Sequence, residues 1–306
     1  MKILLFGAMG QVGWQLRRSL AALGDVIALE RSSRPLCGDL CDARGVAASA
    51  AEVAPDVVVN AAAFTAVDRA QDEADLAFAV NAAAPEALAR AAARQGAWML
   101  HYSTDYVYDG SGERPWQETD EPGPLNVYGR SKLAGDEAVM REAPRHLVLR
   151  TGWVFDSRGR NFARSILDAA MTRDSLTVVD DQWGAPTQAA LIADVTAQVL
   201  RTVASTPGSE RLAGLYHVAA EGFVSRHGYA QQLLHEAAAR GWPLRAGADR
   251  VQAVASIDHP TRALRPKNCR LDTRRLRETF GVALPPWQDG VRSVVAELAP
   301  QGPTGP

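Results

Sequence analysis

Short apolar runs alternate with alanine-rich stretches of helical period through the first half of the chain. Lys2–Phe6, Val26–Glu30, Asp56–Asn60, Met99–Ser103 and Leu147–Thr151 are expected as strands, since each is brief, mostly apolar and closed by a turn or polar residue. Between them, Val12–Leu23, Gly45–Val53, Ala66–Asn81, Pro85–Gln95 and Ser131–Glu142 repeat apolar positions three and four apart and are expected as helices. Pro85 suits a first helical turn, where its missing N–H costs nothing. Strands apolar on both faces that alternate with helices predict a parallel sheet covered on both sides.

The rhythm loosens after Trp153. A helix is expected near Phe162–Met171, a strand near Leu176–Val179, a helix over Ala189–Val203 and another over Ser225–Arg240. The run 215–219 reads as a late strand returning to the main sheet, and the Pro/Arg-rich stretch 258–270 as a binding loop. Residues 301–306, Gln-Gly-Pro-Thr-Gly-Pro, have little to pack and are expected to be disordered. The pattern predicts an α/β fold, a Rossmann-type doubly wound parallel sheet over 1–152, with a smaller, discontinuous C-terminal domain over 153–300.

A chain of 306 residues, 47% hydrophobic, can bury a large core. The net charge of -2 comes without any basic stripe, which argues against nucleic acid or an anionic membrane as partner and favours a small molecule. The first apolar run, Ile3–Phe6, is too short for a signal peptide or a membrane span, and no later run is longer than a core helix. Cys37, Cys41 and Cys269 show no metal spacing and fit a reducing compartment, so the cytoplasm is the expected location. The six histidines form no metal-ligand motif either.

Three positions along the sheet suggest a dinucleotide. Gly7-Ala-Met-Gly10-Gln-Val-Gly13 joins the first strand to the first helix, so the N–H groups of Gly10, Gln11 and Val12 can face a pyrophosphate with the helix dipole behind them. Glu30 closes the second strand, where a carboxylate accepts from an adenosine ribose; Arg31 and Arg34 follow, and an arginine there can hold a 2′-phosphate. NADH and NADPH are both expected to bind. Asp39 and Leu40 are placed at the adenine, and Ala61–Thr65, with Ala62, Ala63 and Thr65 as contacts, beside the coenzyme.

Chemistry enters with Tyr128 and Lys132, four apart on one helix face in a chain with only three lysines against thirty arginines. A cation beside a phenol lowers its pKa, so Tyr128 is expected to give up and retake a proton near neutral pH. A helical Tyr packed on a Lys stem is the bland alternative.

These residues resemble the extended short-chain dehydrogenase/reductase superfamily, and within it the dTDP-4-dehydrorhamnose reductase family, to about Glu297. The likeness rests on Leu4-Leu-Phe-Gly-x-x-Gly-Gln-Val-Gly-Trp14, Asp56-Val-Val-Val-Asn-Ala-Ala-Ala63, Thr65-Ala-Val-Asp68, His101-Tyr-Ser-Thr-Asp-Tyr-Val-Tyr108, Pro124-Leu-Asn-Val-Tyr-Gly-Arg-Ser-Lys-Leu-Ala-Gly135, Arg150-Thr-Gly-Trp-Val154, Asp181-Gln-Trp-Gly-Ala-Pro-Thr187 and Arg265-Pro-Lys-Asn-Cys-Arg-Leu-Asp272. It implies reduction of the C4 ketone of dTDP-4-dehydro-L-rhamnose by NADPH or NADH, feeding polysaccharide biosynthesis. By the same likeness Tyr128 donates a proton, Lys132 lowers its pKa and holds the nicotinamide ribose, and Thr104 bonds the sugar oxygen. Asp105 would contact the sugar and Trp153 line its pocket. Tyr106 stands where related dehydratases carry an acid, which disfavours water elimination. Some members pair through a metal held by glutamates; Gln15, Ala190 and Glu297 match those positions and only the last is a carboxylate, so magnesium is doubtful and a monomer or a homodimer fits. Cys269 replaces a more usual serine. A non-catalytic dinucleotide-binding regulatory subunit, or a reductase or epimerase for another nucleotide sugar, are the competing readings.

Overall fold

The computed structural model describes residues 1–298, so the tail expected to be disordered lies outside the described residues. Strands β1 (Lys2–Phe6), β2 (Asp25–Leu29), β3 (Val57–Asn60), β4 (Trp98–Thr104) and β5 (His146–Thr151) alternate with helices α1 (Gln11–Ala21), α2 (Ala43–Val53), α3 (Val67–Ala70), α4 (Ala74–Phe78), α5 (Ala84–Arg94) and α6 (Val127–Glu142). Short strands β6 (Val154–Phe155), β7 (Leu176–Val179), β8 (Trp183–Gly184) and β9 (Thr187–Gln188) follow, together with helices α7 (Phe162–Thr172) and α8 (Ala189–Ser205). The chain continues through β10 (Gly214–His217), β11 (Val224–Ser225), α9 (Arg226–Ala239), β12 (Val251–Val254), α10 (Arg274–Phe280) and α11 (Trp287–Leu298).

Six parallel strands form the main sheet in the order β10-β5-β4-β3-β1-β2. The late run does return to this sheet: Leu215 pairs with Val148 and His217 with Arg150. Because the order reverses between β1 and β3, a crevice opens at their carboxyl ends, where a ligand can reach backbone from both. Ile3, Leu5, Val59 and Leu100 bury one face under α1 and α8, whereas Leu4, Phe6, Val58 and Met99 bury the other under α2, α5 and α6. Both faces are apolar, as expected for a fully covered parallel sheet. A separate apolar cluster, built around Tyr229 with Phe155, Leu233 and Trp287, joins α7, α9 and α11.

One expected helix is broken. Instead of running from 66 to 81, the chain forms α3, then α4, then a π-helical turn over Ala79–Ala83 that leads into α5. Asn81 anchors the π-helical turn: its buried side chain accepts from Phe64 N at 2.8 Å and donates to Phe64 O and to the Ser131 hydroxyl. Its carbonyl also sits so close to Gly135 that any Cβ there would lie 2.0 Å from it.

Helix α6 starts four residues earlier than the Ser131 expected. Asn126 caps it, accepting from Gly129 N at 2.8 Å. Gly129 itself admits the carbonyl of Tyr106, which would lie 2.2 Å from a Cβ at that position. The first turn of α6 therefore rests on the short 3-10 turn Asp105–Val107 that ends β4. That contact sets Tyr128 edge-on to Tyr106, with ring centroids 5.8 Å apart.

Candidate active site

The crevice is a cleft of about 1260 Å³ lying across the carboxyl ends of β1, β3 and β4. At one end is the glycine turn. Gly7 has φ +80°, and a Cβ there would come within 2.6 Å of Ala62 N, so β1 and the chain after β3 approach as only glycine allows. Gly10 precedes α1 with no side chain to cap it, and its own N–H, expected to face a pyrophosphate, donates instead to Gly7 O at 3.0 Å; the first-turn N–H groups of Gln11 and Val12, both residues of the cleft lining, have no intrahelical partner. Uncapped donors at the positive end of a helix fit a pyrophosphate. Gly13 does not line the cleft; it lets α1 pack, since a Cβ there would meet Gly7 O at 2.0 Å.

Further along, Glu30, Arg31, Asp39 and Leu40 line the same wall, and Arg31 Nε donates to Asp39 Oδ2 at 3.2 Å. The Glu30 carboxylate accepts from the Ser32 hydroxyl at 2.8 Å. Arg34, also expected near a 2′-phosphate, is absent from the lining and donates to Ser33 O instead. Ala61, Ala62, Ala63 and Thr65 follow β3 into the floor. Thr104, Asp105, Tyr128, Lys132 and Trp153 line the other end, so the residues expected at coenzyme and at sugar share one continuous space.

The electrostatics differ from expectation at Tyr128. Its phenol is pushed up rather than down, chiefly because burial disfavours the phenolate, with the Thr104 hydroxyl opposing and Asp105 adding to the rise. The Lys132 ammonium is directed at the strand behind: Nζ donates to Tyr102 O at 2.6 Å and lies 3.2 Å from His101 Nε2. Burial pulls Lys132 down to about 8, against the nearby Asp136 carboxylate. Tyr128 is therefore fully protonated at neutral pH, the state a proton donor needs.

Thr104 ends β4 with its hydroxyl donating to Asp105 Oδ1 at 2.9 Å and accepting from Tyr106 N at 3.2 Å. Asp105 is buried, its Oδ2 without a partner among the described residues. Burial raises its carboxyl to about 6, while the Cys269 thiol, Thr104 and Arg226 pull it down. Trp153 adopts φ +49°, a left-handed conformation that costs a side-chain-bearing residue on the order of 1 kcal/mol or more. Its ring fills the space that a Cβ on Gly184 would need, and the Arg226 guanidinium stacks on it at 3.7 Å. Sequence reasoning missed Arg226, Arg158 and Arg164, lone arginines on the cleft wall with no motif around them. It did flag the stretch 258–270, from which Arg265 reaches the cleft. Among the described residues, no group of three or more His, Cys, Asp or Glu side chains could hold a metal ion. Gln15 donates to Asp156 at 2.8 Å, and Glu297 accepts from the Ser157 hydroxyl at 2.6 Å.

Residues 1–299 match the family described as the RmlD substrate binding domain. The chain is 47% identical over 298 residues to a Salmonella typhimurium protein named dTDP-4-dehydrorhamnose reductase, an alignment that covers 97% of this chain and 98% of that one. A Clostridium acetobutylicum structure of that name is 31% identical, with a TM-score of 0.86 over 97% of this chain and 99% of the other. A Bacillus anthracis structure, in complex with NADP, matches with the same TM-score and coverage at 29% identity. Such agreement, along the whole length and across a cleft built for a dinucleotide, identifies the chain as a member of the dTDP-4-dehydrorhamnose reductases, a family of nicotinamide-dependent oxidoreductases.

Proposed function

We propose that the protein reduces the C4 ketone of dTDP-4-dehydro-L-rhamnose to dTDP-L-rhamnose, a step in rhamnose and polysaccharide biosynthesis, with Tyr128 as the proton donor. The observation that carries this is the protonated Tyr128 phenol beside Thr104 in the cleft that opens onto the glycine turn. A bound reduced nicotinamide supplies the hydride to C4. As negative charge develops on the C4 oxygen, the Tyr128 O–H delivers its proton there, and the Thr104 hydroxyl turns from Asp105 Oδ1 to donate to the same oxygen. Lys132 compensates the phenolate left behind until solvent returns the proton. Asp105 contacts the sugar from the cleft wall, and Trp153 walls the ring in. The first-turn N–H groups at Gln11 and Val12 hold the pyrophosphate, Glu30 and Asp39 the adenosine, with Arg31 the group available to a 2′-phosphate. In this reading 1–152 with the returning strand binds coenzyme, and 153–300 shapes the sugar site.

A cytoplasmic location is supported by three unpaired thiols. No helix among the described residues is long and apolar enough to cross a membrane. Light scattering would separate the monomer from the homodimer.

The purified protein should oxidise NADPH or NADH when given dTDP-4-dehydro-L-rhamnose, and Tyr128→Phe should turn over about a hundredfold more slowly or worse, with coenzyme affinity unchanged. Binding without turnover would favour a regulatory subunit, turnover only with another nucleotide sugar a different reductase; parental rates in Tyr128→Phe would remove the donor assignment.

A further inference from the structure

Behind Lys132 lies a fully buried polar group whose hydrogen-bond directions can be read one after another. Ala62 N donates to Asn60 Oδ1 at 3.1 Å, which orients that amide so that its Nδ2 donates to His101 Nδ1, also at 3.1 Å. His101 is neutral, because burial pulls its pKa well below the usual imidazole value and Lys132 adds to the effect. With Nδ1 accepting, the single ring proton must sit on Nε2. That Nε2–H lies 3.2 Å from Lys132 Nζ and 3.9 Å from Asp136 Oδ1.

An ammonium has no lone pair to offer it. A charged Lys132 therefore leaves the His101 N–H facing a donor, and the nearest carboxylate oxygen, Asp136 Oδ1 at 3.9 Å, lies beyond hydrogen-bond reach and has no partner among the described residues. Asp136 Oδ2 is already committed, accepting from the Ser103 hydroxyl at 2.7 Å and from Arg150 Nε at 3.1 Å. Asp136 follows Lys132 by one helical turn on α6, and both are buried. The charged or titratable groups around Lys132 are Asp136 and Tyr128, four residues away on either side along its own helix, His101 from β4 and, across the shared carboxylate, Arg150 from β5.

We propose that Asp136 is a positioning residue for the reduction: its buried carboxylate, one turn along α6 with Oδ1 uncommitted, is the counter-charge that lets Lys132 carry its own. The proposal rests on the reading of Lys132 as part of the catalytic set. Loss of the Asp136 charge leaves Arg150 and the Lys132 ammonium facing each other in a dry interior, and Lys132 sheds its proton at lower pH.

Lys132 is one of only three lysines, so lysine-selective carbon labelling allows its titration to be followed by NMR in the coenzyme-free protein. Asp136→Asn should move that titration down by about one pH unit or more, and the alkaline limb of kcat/KM should move with it. Arg150→Met, which leaves the carboxylate to Lys132 alone, should move both upward and serves if Asp136→Asn does not fold. An unmoved Lys132 titration, or a loss of rate equal at every pH, would overturn the proposal. A moved titration with an unmoved rate profile would instead overturn the role of Lys132 in catalysis.

Discussion

Burial lifts the Asp105 carboxyl to about 6, above the 3.8 of an unconstrained aspartate, so between those values the folded protein holds a proton that the unfolded chain has released. Stability from this group is therefore full below 3.8 and is lost as pH rises through about 6. The loss is at most about 3 kcal/mol, at roughly 1.4 kcal/mol per unit. Asp105→Asn removes it. Urea unfolding should show the variant gaining about 1–3 kcal/mol on the parent between pH 4 and pH 7.5 while turnover falls; a stability difference equal at both pH values would contradict the argument. The strained Trp153 backbone adds to the same picture, in which the sugar end of the cleft is held in a conformation the fold does not favour by itself.

Helix α6 and the π-helical turn form one fitted unit. Gly135→Ala would force a methyl to within 2.0 Å of Asn81 O, a backbone atom that cannot swing aside. The urea midpoint should fall by the equivalent of about 1–3 kcal/mol with an unchanged slope; an unaltered midpoint would mean that the turn relaxes freely. This fit also explains what could be read from the chain alone. The glycine turn, the strands and the Tyr128–Lys132 step are local patterns, visible within a dozen residues. The π-helical turn is not, because the apolar period through 66–81 is uninterrupted and the partners of Asn81 are Phe64, Ser131 and Gly135, remote in sequence. The raised phenol of Tyr128 escaped for a similar reason. Spacing puts Lys132 on its face of the helix, but only the fold reveals the burial that raises the phenol. Arg226 and Arg158 carry no local signature and are recognised only by the aromatic rings, Trp153 and Trp14, on which they lie.

Across the whole molecule, the first half of the chain and the late segment 262–265 meet beside the cleft through Asp68. Its carboxylate accepts from Arg265 Nη2 at 2.7 Å and from Ala263 N at 3.0 Å, and Arg262 pairs with Asp72 alongside. Asn126, the cap of α6, donates to Leu264 O at 2.8 Å and pins the same segment. These contacts hold Arg265 on the cleft wall. Asp68→Asn should raise KM for the nucleotide sugar about fivefold, as expected for a partly exposed ion pair of ~1 kcal/mol, and leave coenzyme affinity unaltered. Steady-state titration of each ligand separates the two, and an equal change in both would place Asp68 outside the sugar end.

The return of β10 to pair with β5 has a consequence for synthesis. Until residues 214–217 leave the ribosome, the outer edge of Leu147–Arg150 has no neighbour, and the face of the sheet later covered by α8 is bare until about residue 205. At ordinary translation speeds that interval is on the order of ten seconds. A nascent chain of this kind is a natural client for holding chaperones, and a premature stop near residue 152 would release five of the six strands with an open edge and a bare face rather than a working nucleotide module.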